Sequence, residues 1–203
     1  MATLSELLQG PEIKLDQVTA HLDGLNHPER VAQVLALSKN EQVRLWELAE
    51  KSRPLEFEYL VPRSAKPLLS FAFHGKNSLP AFTRFQKVFY LDSDRNLCGY
   101  NNAWIGWLIG PGYFMCQMNP KAEQHEIQID YTRIPVEHPP GWPEIKSNDI
   151  FPTRFVYGGT KDNLRWVSKD VVIGRAFKKG EDPMPNWFVL CRAEPAPASQ
   201  PEL

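Results

Sequence analysis

The feature that most limits the possible folds is a series of short segments rich in Val, Ile, Phe, Tyr and Trp, which begins after Arg53-Pro54. Turn clusters separate the segments at intervals of about 10 residues, and no long helical pattern lies between them, which favours an antiparallel barrel or sandwich. A closed barrel also leaves no sheet edge exposed. The predicted strands are 55–61, 68–74, 83–91, 97–100, 103–109, 113–118, 123–134, 154–157, 164–167, 171–177 and 187–192.

The amino-terminal part has the apolar spacing of about three short helices. Val18 and Leu22 share one face of the first helix, and Pro28 opens the second at a position where its missing N–H costs nothing. Ser38 and Glu41 form a capping-box pattern before the third helix.

Three short helices bury little surface by themselves, so we expect this region to pack on a larger body. The carboxyl terminus, AEPAPASQPEL, has few apolar residues to bury and is predicted to be disordered. The expected organisation is a helical region 1–53 packed on the barrel, an antiparallel barrel domain 54–192 and a disordered tail 193–203.

The run from Ala103 to Cys116 contains no charged residue and includes Trp104 and Trp107. A membrane-spanning helix needs roughly 20 apolar residues, whereas this run is shorter and is interrupted by Gly110-Pro111-Gly112. Proline and glycine weaken a helix but suit a turn. We therefore predict a β-hairpin that is apolar on both faces and covered on both sides, rather than a membrane span.

The composition is that of an ordinary soluble globular protein, with 42% hydrophobic and 23% charged residues. A formal net charge of −1 gives no reason to expect nucleic acid as a partner. The amino terminus lacks the pattern of a secretory signal. Three widely spaced cysteines fit free thiols in a reducing compartment, so a cytoplasmic location is expected.

Common catalytic and metal-binding motifs are absent from the sequence. His125-Glu126 begins like a zinc-binding helix motif, but Ile129 stands where the second histidine would be. No phosphate-binding loop, dinucleotide-binding glycine pattern or nucleophile elbow is present. We expect neither a metal nor a cofactor.

The segment HEIQIDYTRIP alternates, which places His125, Ile127, Ile129, Tyr131 and Arg133 on one face. The opposite face, from Glu126 to Thr132, is polar throughout. That polar face is either the wet side of an antiparallel sheet or the wall of a cavity. In a cavity, Asp130 would act as an acid or base if burial raised its pKa.

A second unusual segment is the basic stretch 154–179, in which alternation places Arg175 with Val171, Ile173 and Phe177. An arginine on an apolar face needs a partner. We expect the Arg175 guanidinium to point into the barrel and to meet either an internal carboxylate, with Asp130 as one candidate, or the acidic end of a ligand.

The pattern from Pro54 to Arg192 resembles that of the lipocalin-like (calycin) barrels. Asp130-Tyr131 is similar to the D-Y dipeptide of that family, and Arg175 or Arg192 is a candidate for its late arginine. The early G-x-W motif of the family is missing, because Gly106 and Trp107 are adjacent, and the helical preface is foreign to the usual pattern. The motifs in the carboxyl-terminal part of the chain resemble those of an uncharacterised bacterial family. The resemblance implies a barrel that encloses a small apolar ligand.

Three functions therefore remain open. The leading hypothesis is a barrel that binds a small, largely apolar or amphipathic molecule with an acidic or polar end. Its apolar wall would come from four aromatic residues and its polar anchor from one of two arginines: Trp104, Trp107, Tyr113 and Tyr131, with Arg133 or Arg175. The second hypothesis is an enzyme in which Asp130 and His125 serve as acid and base. The third is an interaction module that docks a protein partner through the helical region.

Overall fold

A computed structural model of the chain describes residues 2–81, 83–102, 111–122, 126–149, 154–179 and 182–193, with only the backbone of 155 and 156. Within these residues, eight antiparallel strands form a closed barrel in which each strand pairs with its neighbours in sequence and the last pairs with the first. The strands are β1 Phe71–Asn77, β2 Arg84–Leu91, β3 Leu97–Asn102, β4 Phe114–Met118, β5 Ile127–Asp130, β6 Thr160–Trp166, β7 Val171–Lys178 and β8 Asp182–Arg192.

Helices precede the barrel and interrupt its longest connection. They are α1 Leu4–Gln9, α2 Leu15–Gly24, α3 His27–Ala36, α4 Lys39–Leu48, α5 Phe57–Leu60 and α6 Arg154–Tyr157, with a 3-10 turn at Ala49–Lys51. The predicted capping box at Ser38 and Glu41 is confirmed, and Pro28 lies in the first turn of α3. The helix α1 was not predicted, although Thr3 and Glu6 form a second capping box at its start.

Two predicted strands are wrong. Residues 55–61 contain α5, and residues 154–157 form α6. The predicted strand 123–134 is shorter than expected, because β5 ends at Asp130. Residues 103–110, the first arm of the predicted hairpin, and the tail from residue 194 lie outside the described residues.

Strand alternation divides the barrel wall into two faces, and the inner face forms one core cluster with a single turn of helix, α5, at its end. Leu60 and Val61, at the end of α5, belong to the same cluster as Phe73, Leu91 and other inward-facing side chains. The Tyr59 hydroxyl donates to the Ser168 carbonyl in the β6–β7 turn. The helix α5 therefore covers this end of the barrel.

Arg192, one of the two candidates for the late arginine, lies at this covered end. Its guanidinium donates to the Tyr59 carbonyl and lies 5.2 Å from the Tyr59 ring centre and 4.8 Å from that of Phe73. Arg192 Nε is also 3.5 Å from Asp170 Oδ1, and Asp170 binds Arg30 of α3 at 2.8 Å.

The outer face of β7 and β8 packs against the helices. Buried side chains of α1 to α4 form one cluster with Val171, Ile173, Val189 and Cys191 of these two strands. A smaller cluster covers β2 and β3, where Val88, Tyr100 and Tyr113 contact Trp142 and Ile145 from the long β5–β6 connection. The barrel therefore has buried surface on both faces of much of its wall.

Candidate functional site

A lysine lies inside the barrel. The alternation of β2 directs Phe85, Lys87, Phe89 and Leu91 inward, and the core cluster contains Phe89 and Leu91. Lys87 is only 2% exposed. Lysine is almost never fully buried unless it has a partner, so this position requires polar groups on the facing strands.

Three polar side chains from elsewhere in the barrel form a hydrogen-bonded network with Lys87, and two of them bind its amine. Lys87 Nζ donates to the Tyr131 hydroxyl at 2.6 Å and to Asp162 Oδ2 at 3.3 Å. The Tyr131 hydroxyl also donates to Asp162 Oδ2 at 3.1 Å, and it accepts a hydrogen bond from Asn101 Nδ2 at 3.0 Å. These four residues, called here the Lys87 cluster, come from β2, from β3, from β6 and from the position just after β5.

Aromatic rings enclose the Lys87 amine. Nζ lies 4.8 Å from the ring centre of Phe188, 5.1 Å from that of Phe114, 5.2 Å from that of Tyr131 and 5.9 Å from that of Phe85. All four distances are within the range in which a cation is attracted to the face of an aromatic ring. The surroundings of the amine are therefore apolar except for the Lys87 cluster itself.

Three of these rings are seated on glycines of the neighbouring strands. Phe85 pairs with Gly75, Phe114 with Gly99 and Phe188 with Gly174 across adjacent strands. A Cβ atom on any of these glycines would approach the partner ring to 2.7 Å or less: 2.6 Å at Gly75, 2.6 Å at Gly99 and 2.2 Å at Gly174. The missing side chains let the rings lie against the barrel wall.

Burial shifts both charged groups of the Lys87 cluster toward their neutral forms. Removal from water lowers the pKa of the Lys87 amine, although the Asp162 carboxylate opposes this. Removal from water also raises the pKa of Asp162, against the effect of Lys87 and Tyr131. The proton between the two groups is therefore held less firmly by lysine than it would be in water.

Side chains at the end of the barrel away from α5 are less completely buried than the Lys87 cluster. Phe85, two positions before Lys87 on β2, is half-buried, as is Tyr157 of α6. The Tyr157 ring stacks on Tyr131 with 5.0 Å between ring centres. The Lys87 cluster therefore lies beneath Phe85 and Tyr157, which are partly exposed to solvent.

Of the predicted site residues, Tyr131 is the one that the structure places inside the barrel, where it links Lys87, Asn101 and Asp162. Trp104, Trp107 and His125 lie outside the described residues.

The placement of Asp130 contradicts both expectations for the polar face of β5. This face points outward rather than into a cavity, yet it is not wet, since Glu126, Gln128 and Asp130 are 8%, 4% and 2% exposed. Asp130 Oδ2 pairs with Lys161 Nζ at 2.8 Å. Burial by itself would raise the pKa of Asp130, but hydrogen bonds from Lys161 and Thr132 outweigh it and lower the pKa. The condition for an acid–base role of Asp130, a raised pKa, is not met.

Neither predicted arginine anchor is inside the barrel. Arg133 follows the end of β5, is exposed and donates to Gln117 Oε1 at 3.2 Å. Arg175 does share a face with Val171 and Ile173, but that face is the outer one, against the helices. Its guanidinium donates to the Met184 carbonyl at 3.2 Å and lies 4.8 Å from the Trp187 ring centre. The prediction that Arg175 points into the barrel and meets a carboxylate or a ligand there is therefore wrong.

Tyr113 is also on the outer face. The next residue, Phe114, takes the inner position, and the alternation of the strand therefore turns Tyr113 outward. Its hydroxyl donates to the Pro143 carbonyl in the β5–β6 connection.

The sequence contained a signal for the residues that were missed. Lys87 alternates with Phe85 and Phe89 in the same manner as Arg175 alternates with Ile173 and Phe177. Asp162 likewise precedes Leu164 and Trp166 at spacings of two. A charged side chain that alternates with apolar residues on a strand therefore also indicated Lys87 and Asp162, although this pattern does not say which face of the strand lies inside the barrel.

Comparisons of the chain with protein-family models, curated proteins and solved structures found no match. The closed eight-stranded antiparallel barrel is consistent with the lipocalin-like resemblance and identifies no family more closely. Across the described ranges, no helix has the length and apolar character to cross a membrane. No group of three or more His, Cys, Asp or Glu side chains within those ranges is arranged to hold a metal ion.

Proposed function

We propose that the protein binds a small, largely apolar molecule inside its barrel, with the polar or acidic end of the molecule at the Lys87 cluster. The observation that carries this proposal is a lysine that is 2% exposed, lies within an aromatic enclosure and is paired with Asp162 and Tyr131. Eight-stranded barrels have an interior that is either filled by side chains or holds one small ligand.

The hydrogen bonds of the Lys87 cluster leave capacity for a ligand. A lysine ammonium has three N–H donors, and the residues of the described ranges supply two acceptors to it. Asp162, with its raised pKa, accepts a proton more readily than an ordinary aspartate. An acidic ligand therefore has a route to pair with Lys87, because protonation of Asp162 keeps the net charge of the interior unchanged.

The phenyl rings supply the apolar part of the site. Phe85, Phe114 and Phe188 surround the amine from three strands, and apolar and aromatic side chains with a few polar groups are the usual lining of small-molecule sites. The stacked rings of Tyr131 and Tyr157 extend this apolar surface toward the end of the barrel away from α5.

Binding of a fluorescent naphthalene carboxylate tests the proposal. We expect saturable binding by the wild-type protein and a loss of at least about tenfold in affinity for Lys87→Met, which corresponds to 1.4 kcal/mol. Arg175→Met is the matched control, since it removes a cation from the outer face and should leave the affinity unchanged. Equal affinities of wild type and a folded Lys87→Met variant would contradict the proposal.

A further inference from the structure

We propose that Lys87 forms a reversible imine with the carbonyl carbon of an aldehyde or ketone whose apolar body lies among the phenyl rings of the barrel. This inference rests on the proposed function, because it names the chemistry of the polar end of the ligand at the same site.

Lys87 differs from the other lysines of the described ranges in its surroundings. It is the one lysine of those ranges that is buried, and four aromatic ring centres lie within 5.9 Å of its amine. A primary amine attacks a carbonyl carbon only in its unprotonated form, and enzymes obtain such lysines by removing them from water. The lowered pKa of the Lys87 amine is in the direction that this chemistry needs.

The neighbouring groups are placed for the proton transfers of imine formation. Asp162 Oδ2 lies 3.3 Å and the Tyr131 hydroxyl 2.6 Å from Nζ, both within reach of a nitrogen-bound proton. Asn101 donates to the Tyr131 oxygen and so orients the hydroxyl toward Asp162.

The reaction balances without an oxidant or reductant. The Nζ lone pair forms a bond to the carbonyl carbon while the C=O π pair moves to oxygen, and a proton passes from nitrogen to that oxygen to give a carbinolamine. Asp162, which holds the proton that the Lys87 ammonium gave up before the attack, then protonates the hydroxyl group. The nitrogen lone pair forms the C=N bond as the C–O bond breaks, and water leaves. The remaining N–H proton returns to the Asp162 carboxylate, so one amine and one carbonyl yield one imine and one water molecule.

The enclosure also indicates the class of carbonyl compound. The rings of Phe114 and Phe188 and the ring of Tyr131 lie within 5.2 Å of Nζ. Planar aromatic or conjugated carbonyl compounds make favourable contacts with such rings. Within the described ranges, the inward-facing cluster near Nζ has Lys87 as its cation and Asp162 as its anion, so a compound without a further charge fits best.

Reductive trapping on the full chain tests the proposal. The protein is incubated near pH 7 with substoichiometric cinnamaldehyde and sodium cyanoborohydride, which reduces an imine to a stable secondary amine. Intact mass and peptide mapping are expected to show that each modified chain carries a single adduct, on Lys87. Because a lower pKa raises the unprotonated fraction of an amine, Lys87 should be labelled faster than the exposed lysines.

Variants assign the adduct. Lys87→Met and Lys87→Arg should both lose it, and the arginine variant retains a cation if the methionine variant does not fold. Lys161→Met, which removes a lysine from the outer face, should keep it. Labelling spread over exposed lysines, with the Lys87 peptide unmodified in the wild type, would overturn the imine.

Cinnamyl alcohol separates this inference from the proposed function, since it has the same apolar body and no electrophilic carbon. If the alcohol binds in a thermal-shift titration but the aldehyde leaves Lys87 unmodified, the imine is refuted and the binding function stands. If neither compound binds or reacts, both proposals fail. An adduct on Lys87 together with binding of the alcohol supports both.

Discussion

Two lysine–aspartate pairs lie on opposite faces of the same part of the barrel wall. Lys161 and Asp162 are consecutive on β6, and alternation turns one outward and the other inward. On the outer face Lys161 pairs with Asp130 at 2.8 Å, and on the inner face Asp162 pairs with Lys87 at 3.3 Å. The lysine side chain is 22% exposed in the outer pair and 2% exposed in the inner pair.

The two pairs consist of the same residue types, a lysine and an aspartate, but their surroundings differ. Asp130 accepts two further hydrogen bonds, from the Thr132 backbone N–H and hydroxyl, and its pKa is lowered. Asp162 accepts one from Tyr131 besides that from Lys87, and its burial raises its pKa. One step along a strand thus separates a pair whose charges are stabilised from a pair that burial shifts toward its neutral forms.

The largest expected effect comes from removing the helices that cover one part of the outer face. Deletion of residues 1–53 would expose Val171, Ile173, Val189 and Cys191, all fully buried. We expect the fragment 54–203 to aggregate or to lose cooperative thermal unfolding, measured by circular dichroism and light scattering. A soluble fragment that melts as cooperatively as the full chain would show instead that residues 1–53 form a separate module.

Removing the lysine of each pair sharpens the comparison directly. Lys87→Met leaves the Asp162 carboxylate buried without its cation, and the free energy of unfolding should fall by about 3–5 kcal/mol. Lys161→Met leaves Asp130 with its Thr132 bonds and should cost about 1 kcal/mol or less. Urea unfolding of the two variants measures both losses. Equal losses would mean that the two faces do not differ as described.

Filling a glycine position tests the seating of the inner rings. A Cβ at Gly174 would lie 2.2 Å from the Phe188 ring, so Gly174→Ala should destabilise the protein by about 1–3 kcal/mol. Gly24, near the end of α2, has no atom within 4 Å of its added Cβ, and Gly24→Ala should be neutral or stabilising by up to about 1 kcal/mol. A tolerated Gly174→Ala substitution would indicate free space at the Phe188 ring.

The smallest effects are those of pH, and they have opposite signs. Asp130, with a lowered pKa, contributes stability that is present above its ordinary pKa of 3.8 and is lost as the pH falls through the lower folded value. Asp162, with a raised pKa, binds its proton more readily in the folded state, so its contribution improves as the pH falls from the folded value toward 3.8.

Unfolding of the asparagine variants from pH 7 to pH 3 measures this difference. The advantage of the wild type over Asp130→Asn should shrink at the acid end, whereas the stability of the wild type relative to Asp162→Asn should increase. Parallel curves for the two variants would refute the assigned directions.

Much of the barrel could be predicted from the sequence, because period-2 alternation and turn clusters are local signals. The pattern also placed Arg175 on a face with Val171 and Ile173, which is correct. The alternation pattern could not predict which face of β7 lines the barrel interior. The face with Val171 and Ile173 meets the helices, and the inner face is formed by Val172 and Gly174. Both faces of this strand are buried, so burial alone does not distinguish them.

The Lys87 cluster was beyond local patterns for a different reason. Lys87, Asn101, Tyr131 and Asp162 are brought together by the closure of the barrel, which depends on register between strands far apart in sequence. The short helix α5 was mistaken for a strand because residues 55–61 are as rich in apolar and aromatic side chains as the true strands.

Native mass spectrometry of the purified protein tests most directly whether the interior of the barrel, rather than its outer face, holds a small molecule. We predict that the wild type and Lys161→Met carry the same co-purified molecule, or bind an added naphthalene carboxylate with one-to-one stoichiometry, and that a folded Lys87→Met variant does not. Retention of the molecule by Lys87→Met, together with its loss from Lys161→Met, would place the binding site outside the barrel and contradict this account.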